Sequence, residues 1–272
     1  MSVNSKLTAV ADAIRAKTGG TDKLSLDAMA AEVAAMETGG EDYLAALFNN
    51  TLTQYSSEEM KIIPQYGFNS RLIATLNVPN VTEIGNYAFS YCSKITQLHF
   101  PKVTKIGSAA FQKSKLAAIT APLLKSVGSY GFAETNLAQC DFPALTTADK
   151  YAFNACRITS ISLPSATGIG VAAFAACALL ESADLGTGVT VLNDQVFTGC
   201  SVLTTLVLRS PTVCTMKYAS ALTNTPFASG GTGGTVYVPS ALIESYQTAT
   251  NWSTLYAAGT CSFVAIEGSE YE

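Results

Sequence analysis

Short runs with apolar residues at alternating positions recur at a regular interval along the chain. One run places apolar side chains at Ile95, Leu98 and Phe100, and its last two members are two residues apart. That spacing puts both side chains on one face of a strand. A proline follows five of these runs, and a second apolar residue such as Ile106 comes five residues later, usually with glycine after it. Each unit is therefore predicted to contain a short strand, a second short strand and a tight corner.

A column of phenylalanines in the same phase sets the length of the unit. The column consists of Phe68, Phe89, Phe111, Phe132, Phe153, Phe174 and Phe197. Its members are separated by 21 to 23 residues, within the range of leucine-rich repeats. One unit cannot bury its apolar edge alone, so the units must stack into a continuous solenoid. We expect the members from Phe89 to Phe174 to form the buried spine of that solenoid.

Small side chains occupy a ladder position three residues after the phenylalanines. Four units carry a cysteine at this position, namely Cys92, Cys156, Cys177 and Cys200. Two others carry Ser114 and Thr135. A small, weakly hydrogen-bonding group suits a turn that stacks on its neighbours, so we interpret these thiols as buried and reduced. The chain has seven cysteines and no CxxC pair, which indicates neither a complete disulfide framework nor a zinc site.

Composition narrows the classes of partner. Only 13% of the 272 residues are charged, and the formal net charge is -4. The chain therefore lacks the overall positive charge typical of a protein that binds nucleic acid or an anionic membrane. No window reaches the roughly 18 consecutive apolar residues of a membrane span, so we expect no membrane insertion. No signal peptide is visible at the start of the sequence, so we expect synthesis without one.

The two ends of the chain differ in pattern from the repeats. Residues 4 to 37 are predicted to form a helical hairpin, with an apolar stripe from Leu7 to Ile14 and with Ser25 as N-cap of the second helix. At the other end, Ser240 is predicted to open a helix that ends near Trp252.

These patterns divide the chain into three parts. The division is an N-terminal helical hairpin at 1–40, a solenoid with its own N-terminal cap at 41–239, and a C-terminal helical cap at 240–272. The hairpin either docks the protein onto another component or caps the open solenoid end, and the sequence leaves both roles open.

The repeat has a consensus that resembles a known family. The unit L-x-x-L-x-L-P-x-x-T-x-I-G-x-x-A-F-x-x-C, seen in ITQLHFPKVTKIGSAAF and ITSISLPSATGIGVAAF, resembles BspA-like leucine-rich repeats over residues 50–239. The resemblance implies a mainly β, right-handed leucine-rich-repeat solenoid of α/β repeats. It also implies a non-enzymatic, ligand-binding role on a bacterial surface or in a phage-derived assembly. Two units depart from the consensus, at Asp149 and at Gly186, where we expect local bulges.

A second resemblance concerns the N-terminal hairpin. The stretch NSKLTAVADAIRAKTGGTDKLSLDAMAAEV resembles modules of tail- or baseplate-attached proteins of phages and prophages. It implies that residues 1–40 bind a phage tail or baseplate protein while the solenoid contacts a bacterial surface receptor, a glycan or a protein. The protein would then be made in the bacterial cytoplasm and carried on a virion tail or another extracellular particle. The alternatives are a bacterial cell-surface adhesin that binds a host protein, and a structural tail spacer; a homo-oligomer also stays open.

Residues with potential chemistry are explained by the repeat instead. The segment GIGVAA at 168–173 matches a dinucleotide-binding pattern, but Gly170 occupies the corner position of the other units. His99 is the only histidine and is expected to face outward, whereas Cys140 takes an inward position. Asp141 and Asp184 lie two units apart, about 10 Å, too far to hold one calcium ion together. We therefore expect no enzymatic activity, cofactor or metal.

The outward strand positions form the candidate binding site. They are mostly small, uncharged and hydrogen-bonding, which suits a polar ligand such as a glycan or an extended peptide loop. The candidate ligand-binding residues are Thr75, Asn77, Gln97, His99, Thr120, Gln139, Asp141, Ser160, Ser162 and Asp184. Val207 continues the same column. The alternative location is the loop edge that bears Tyr87, Tyr130 and Tyr151, or the C-terminal segment around Trp252.

Overall fold

The computed structural model describes residues 51–228 and 230–272. Within them, seven successive coils each contain a longer strand, a shorter strand and a turn at a column phenylalanine. An eighth coil replaces that turn with the short 3-10 helix η1 (Ala219–Leu222). The hairpin predicted for residues 4–37, and the choice between docking and capping, fall outside the described residues.

The longer strands stack in parallel along one side of the solenoid. They are β1 (Gln54–Ser56), β3 (Thr75–Asn77), β5 (Gln97–His99), β7 (Ala118–Thr120), β9 (Gln139–Asp141), β11 (Ser160–Leu163), β13 (Ser182–Leu185), β15 (Thr205–Leu208), β17 (Gly234–Val238) and β18 (Cys261–Ala265). Three consecutive parallel sheets join them, in the orders β1-β3, β5-β7-β9 and β11-β13-β15-β17-β18. In β5 the buried Leu98 lies between the exposed Gln97 and His99, so the predicted alternation is confirmed.

The shorter strands stack along a second side. They are β2 (Ile62–Ile63), β4 (Glu83–Ile84), β6 (Lys105–Ile106), β8 (Ser126–Val127), β10 (Thr147–Ala148), β12 (Gly168–Ile169), β14 (Val191–Leu192) and β16 (Thr215–Met216). The second residue of each strand is buried. Threonines before the strands add bonds between coils, because the hydroxyl of Thr104 donates to the Thr82 carbonyl at 3.3 Å. The second strand predicted for each unit is thus present.

The phenylalanine column forms a buried spine, as predicted. Successive ring centroids lie 5.0 to 5.6 Å apart, with interplanar angles of 17° or less. The members from Phe89 to Phe197 are fully buried. The backbone of the same turns is bonded from coil to coil, since the Phe132 amide donates to the Ala152 carbonyl at 2.8 Å. Every coil therefore depends on its neighbours for both core packing and hydrogen bonds.

The thiol ladder has a specific partner in the coil before it. The thiol of Cys92 donates to the carbonyl oxygen of Phe68 at 2.9 Å. Cys156, Cys177 and Cys200 bond the preceding phenylalanine carbonyl in the same way, each at 3.1 Å. All four cysteines are buried and free of disulfides, as the sequence predicted. Burial raises the pKa of the Cys156 thiol to about 12, so these groups stay protonated donors.

Ser114 is the one member of this ladder whose buried hydroxyl finds no partner in the described part of the chain. A thiol has a longer bond to carbon and reaches the neighbouring carbonyl in four other coils. We expect Ser114→Cys to stabilise the protein by about 1 kcal/mol, because an unpaired buried hydroxyl costs about 1–3 kcal/mol. Thermal unfolding should show a rise of about 2–4 °C for a chain of this size.

Thr135 provides the matched control for that substitution. Its hydroxyl already donates to the Phe132 carbonyl at 2.8 Å, so Thr135→Cys gains no missing bond. A lower melting temperature for Ser114→Cys than for the unsubstituted protein would show that the serine hydroxyl is bonded in solution.

The corner glycines stand directly against the backbone of the preceding coil. A Cβ on Gly85, Gly107, Gly128 or Gly170 would lie only 2.6 to 2.7 Å from atoms there. For Gly170 the nearest atoms belong to Asp149 and Lys150, and both lie in the backbone. The glycine of the GIGVAA segment therefore lies against the backbone of the preceding coil, which agrees with the corner interpretation.

We expect Gly170→Ala to destabilise the protein by about 1–3 kcal/mol, the cost of forcing extra volume into a packed site. Gly168→Ala is the matched control, because its Cβ would meet nothing closer than Thr147 Cγ2 at 3.6 Å. Urea unfolding of both variants compares their midpoints, and we expect the midpoint of Gly170→Ala to be the lower one. Equal midpoints for Gly170→Ala and Gly168→Ala would contradict the close approach of the coils.

The departure from the consensus at Asp149 does not produce a bulge, so that part of the expectation is wrong. Ala148 pairs in register with Val127 and with Ile169 on either side, although Asp149 replaces the corner glycine. At the second departure, β11 and β13 stay in register as far as Leu163 and Leu185. The turn that follows holds one more residue than in the preceding coil, because the Val189 amide donates to the Gly186 carbonyl where the Ala166 amide donates to that of Leu163. The local irregularity expected at Gly186 is therefore present. Gly186 replaces the usual proline because its Cβ would come within 2.2 Å of the Pro164 carbonyl oxygen.

The C-terminal cap differs from the single helix predicted for it. The 3-10 helix η2 (Ser240–Leu242) leads into α1 (Ile243–Thr248), and a separate helix α2 (Trp252–Ala257) begins at the tryptophan. The helix is interrupted because Asn251 adopts a φ of 66° and donates its side-chain amide to the Met216 carbonyl at 2.9 Å. The strand β18 then pairs with β17, an element that the sequence did not predict.

Candidate functional site

Outward residues of the longer strands lie along one side of the stack, here called the long-strand face. The ladder places His99 beside Thr120 and Thr120 beside Asp141, all three exposed. Gln97 and Gln139 lie at the equivalent positions two residues earlier, on β5 and β9. Neighbouring strands of a sheet are about 4.8 Å apart, so the row repeats at that interval.

The face continues in both directions from these central coils. Towards the N-terminus, Thr75 and Asn77 are exposed on β3, and Asn77 Nδ2 donates to the Ser56 hydroxyl at 3.5 Å. Towards the C-terminus, Ser160 and Ser162 are exposed on β11. The structure therefore brings the candidate residues of β3 to β11 onto one side of the molecule, and their role in binding a ligand stays a prediction.

Asp184 is already engaged by another side chain. Arg209 Nε and one of its terminal nitrogens lie 2.8 and 2.9 Å from the two carboxylate oxygens of Asp184. The same guanidinium donates to the Tyr271 carbonyl at 2.8 Å. The hydrogen bonds that Arg209 donates to Asp184 raise the pKa of the guanidinium, so Arg209 stays charged. A ligand at Asp184 would have to compete with Arg209.

The expectation that Val207 extends the exposed face is wrong. Val207 is only 1% exposed, although it lies in the outward column beside Asp184. Its neighbour on the other side is Tyr237, whose ring packs against Tyr271 with centroids 4.6 Å apart. The last residues thus cover the face at Val207.

Several polar residues on this side were not among the candidates. Gln54 and Ser56 of β1 are exposed beside Thr75 and Asn77. Ser262 of β18 is exposed as well, and its hydroxyl lies 3.3 Å from the hydroxyl of Thr235. Because β1 and β18 lack the complete consensus, only the alternation of the flanking strands could have indicated them.

The residues with reactive side chains are kept apart. His99 is exposed on the long-strand face, whereas Cys140 points inward and packs against the core. Burial raises the pKa of the Cys140 thiol to about 12, which makes it a poor nucleophile. Within residues 51–228 and 230–272, no group of three or more His, Cys, Asp or Glu side chains could hold a metal ion.

The alternative recognition surfaces have different structures. On the turn edge, the rings of Tyr130 and Tyr151 stack at 4.9 Å, and Tyr87 is 38% exposed. Trp252 is fully buried, and its indole nitrogen donates to the Cys214 carbonyl at 2.8 Å. The tryptophan side chain is therefore a core group of the cap that no ligand can contact.

In the described part of the chain, neither α1 nor any other helix has the length and apolarity needed to cross a bilayer.

Stacked parallel coils with a phenylalanine spine and an outward strand face define a leucine-rich-repeat solenoid. The family model of the BspA type leucine rich repeat region matches the sequence in six copies, over residues 61–178 and 125–228. The match covers more than half of the chain. The chain belongs to the BspA-type leucine-rich repeat family.

Two solved structures with similarity to the chain are themselves described as leucine-rich proteins. A leucine-rich repeat protein from Bacteroides ovatus is 26% identical with a TM-score of 0.46, covering 59% of this chain and 48% of its own. A leucine rich cell surface protein from Faecalibacterium prausnitzii is 23% identical with a TM-score of 0.42, covering 83% of this chain and 62% of its own. The chain thus spans less than two thirds of either protein.

The pneumococcal vaccine antigen PcpA is 10% identical with a TM-score of 0.41. The alignment with PcpA covers 78% of this chain and 79% of that protein. No curated protein matches the chain.

Proposed function

We propose that the protein is a non-enzymatic recognition protein that attaches to a bacterial surface through its long-strand face. The observation that carries the proposal is a column of exposed polar residues on β3 to β11, on a scaffold that is bonded from coil to coil. The column consists of Asn77, His99, Thr120, Asp141 and Ser162. Solenoids of this kind use one extended surface for binding. The family membership supports an adhesion role and favours recognition over catalysis.

The chemistry of the face indicates the kind of ligand. Hydroxyl, amide and imidazole groups such as Thr120, Gln97 and His99 can donate and accept hydrogen bonds. They offer little apolar area, so a hydrophobic partner gains little there. A surface glycan or a polar peptide loop matches the row best, because such ligands present hydrogen-bonding groups at short intervals along their length.

The test replaces Gln97, His99, Gln139 and Asp141 together with alanine. Binding of the labelled protein to intact candidate host cells is measured after an unchanged thermal melt has confirmed the fold. We expect binding to fall at least tenfold, because four polar contacts near 1 kcal/mol each are lost together.

The matched control substitutes the short-strand side of the solenoid, with Lys105→Ala, Ser126→Ala and Thr147→Ala. These residues lie on the shorter strands and should leave binding unchanged. Undiminished binding of the four-alanine variant would place the recognition surface elsewhere.

The biological setting is a further part of the proposal. We propose that residues 1–40 attach the protein to a phage or prophage tail, on the resemblance of the hairpin to tail-associated modules. A cell-surface adhesin that binds a host protein is the second candidate, favoured by the family membership. Neighbouring tail genes would support the first setting, and neighbouring secretion or sortase genes would support the second.

A further inference from the structure

A second surface of the solenoid carries an unusual set of side chains in its backbone turns. The residues two before and two after each spine phenylalanine take a positive φ, a region that favours glycine or asparagine. Tyrosine occupies five of these positions, with φ between 57° and 60°. They are Tyr66, Tyr87, Tyr91, Tyr130 and Tyr151. We call residues 65–71, 86–94, 108–115, 129–136 and 150–157 the turn edge.

The tyrosines of the turn edge repeat the stacking of the spine on the outside of the molecule. Tyr66 and Tyr87 stack with centroids 5.1 Å apart and planes 11° apart. Tyr130 and Tyr151 stack at 4.9 Å and 17°. Unlike the spine rings, these rings stay accessible, with Tyr66 50% exposed and Tyr130 38% exposed. The edge therefore presents aromatic surface and phenol hydroxyls about one coil spacing apart, 4.9 to 5.1 Å between stacked rings.

Lysines accompany the tyrosines on the same edge. Lys113 Nζ lies 5.6 Å from the centroid of the Tyr91 ring, and Lys150 Nζ lies 5.3 Å from that of Tyr151. Lys115 is exposed in the same turn as Lys113. Glu134 lies 3.7 Å from Lys113, in an exposed pair that holds the lysine only weakly.

Charge is segregated along the chain, which the overall net charge of -4 conceals. Residues 51–157 contain ten Lys and Arg against six Asp and Glu. Residues 158–272 contain two Lys and Arg against seven Asp and Glu. The coils that carry the tyrosine turns are thus positive, and the rest of the solenoid is negative. The net charge of the whole chain therefore does not exclude anionic partners for this segment.

We propose that the turn edge is a second binding site, separate from the long-strand face, and that it binds an acidic polysaccharide. Lysines supply point charges for carboxylate or sulfate groups, and positive segments attract such polymers. Tyrosine rings supply flat apolar surface with a hydroxyl at the tip, which suits sugar rings. A linear polysaccharide repeats an acidic group and a ring along its length, and this matches the repeating lysines and tyrosines.

Heparin serves as the probe, with dextran of similar chain length as the neutral comparison. Calorimetry at low ionic strength should show binding of heparin and none of dextran.

Lys113→Ala combined with Lys150→Ala should weaken heparin binding about 25-fold, at about fivefold for each lysine near an anionic surface. The slope of log affinity against log salt should fall by about two. Tyr91→Ala combined with Tyr151→Ala should weaken binding about fivefold or more.

The chain contains a matched control for these variants in its negative part. Lys217 Nζ lies 5.6 Å from the Tyr218 ring centroid, and Tyr218 is 49% exposed. Lys217→Ala combined with Tyr218→Ala should change the affinity for heparin less than twofold. The four-alanine variant of the long-strand face should also keep its affinity for heparin, which separates this site from the proposed function.

Three results would overturn the proposal. Equal binding of heparin and dextran would remove the role of charge. Unchanged affinity of the lysine or tyrosine variant, with an unchanged melt, would place the site elsewhere. Tighter binding of polyglutamate or of duplex DNA than of heparin would assign the edge to an acidic protein or a nucleic acid instead.

Discussion

Phe132→Ala is expected to lower the free energy of unfolding by about 3–5 kcal/mol, the usual cost of deleting a buried aromatic ring. Phe132 is fully buried in the middle of the spine and stacks with Phe111 at 5.2 Å and with Phe153 at 5.4 Å. The loss affects two coil interfaces, because the neighbouring rings lose contact on one face each. Urea unfolding followed by circular dichroism measures the change.

Tyr130→Ala is the control from the same turn. Its ring is 38% exposed and stacks on one neighbour only, so its loss should cost under about 1 kcal/mol. If Phe132→Ala unfolded at the same urea concentration as Tyr130→Ala, the phenylalanine column could not be the spine of the solenoid.

Trp252→Ala is expected to have an effect of similar size, about 3–5 kcal/mol, at the C-terminal end. The indole is fully buried and lies edge-on to Tyr246 and to Phe263. Its removal also leaves the Cys214 carbonyl without the bond at 2.8 Å. Because the tryptophan closes the open end of the core, thermal unfolding should begin at this end and at a lower temperature.

Trp252→Phe separates the contribution of apolar packing from that of the hydrogen bond to the Cys214 carbonyl. It keeps most of the apolar contact but leaves the buried Cys214 carbonyl unpaired, at a cost of about 1–3 kcal/mol. A Trp252→Ala variant as stable as the unsubstituted protein would show that the helices α1 and α2 do not cap the solenoid.

The repeating part of the fold could be predicted because its determinants are local and periodic. The Phe89 and Phe111 positions, the inward Leu98 and the buried thiol of Cys92 each follow from a residue type at a fixed phase. Stacking forces equivalent residues into equivalent places, so one correctly assigned coil assigns the others. The structure confirms the spine, the strand alternation and the reduced thiols for this reason.

The ends of the solenoid could not be predicted in the same way, because contacts distant in sequence determine them. The bond from Arg209 to Tyr271 joins residues 62 positions apart, and it changes the surroundings of Asp184. The break between α1 and α2 depends on the bond from Asn251 to Met216, 35 positions away. Neither partner can be chosen from composition or periodicity.

The candidate site was predictable in position and less so in extent. Alternation alone placed Gln97, His99 and Thr120 on the outward side. It could not show that Val207 is buried. The excess of basic residues in the first part of the solenoid can be counted from the sequence, but only the stack shows which of them share the turn edge with the tyrosines. Three-dimensional grouping of charge is a property of the stack.

Photo-cross-linking tests most directly whether the long-strand face is the surface that recognises a partner. A photoreactive amino acid is introduced at Thr120, on the face, and in a second protein at Thr147, on a shorter strand of the same stack. Both proteins are bound to the intact cells used in the binding assay and irradiated. The proposed function predicts a cross-linked cell-surface component from Thr120 and none from Thr147; cross-linking from Thr147 with none from Thr120 would contradict it.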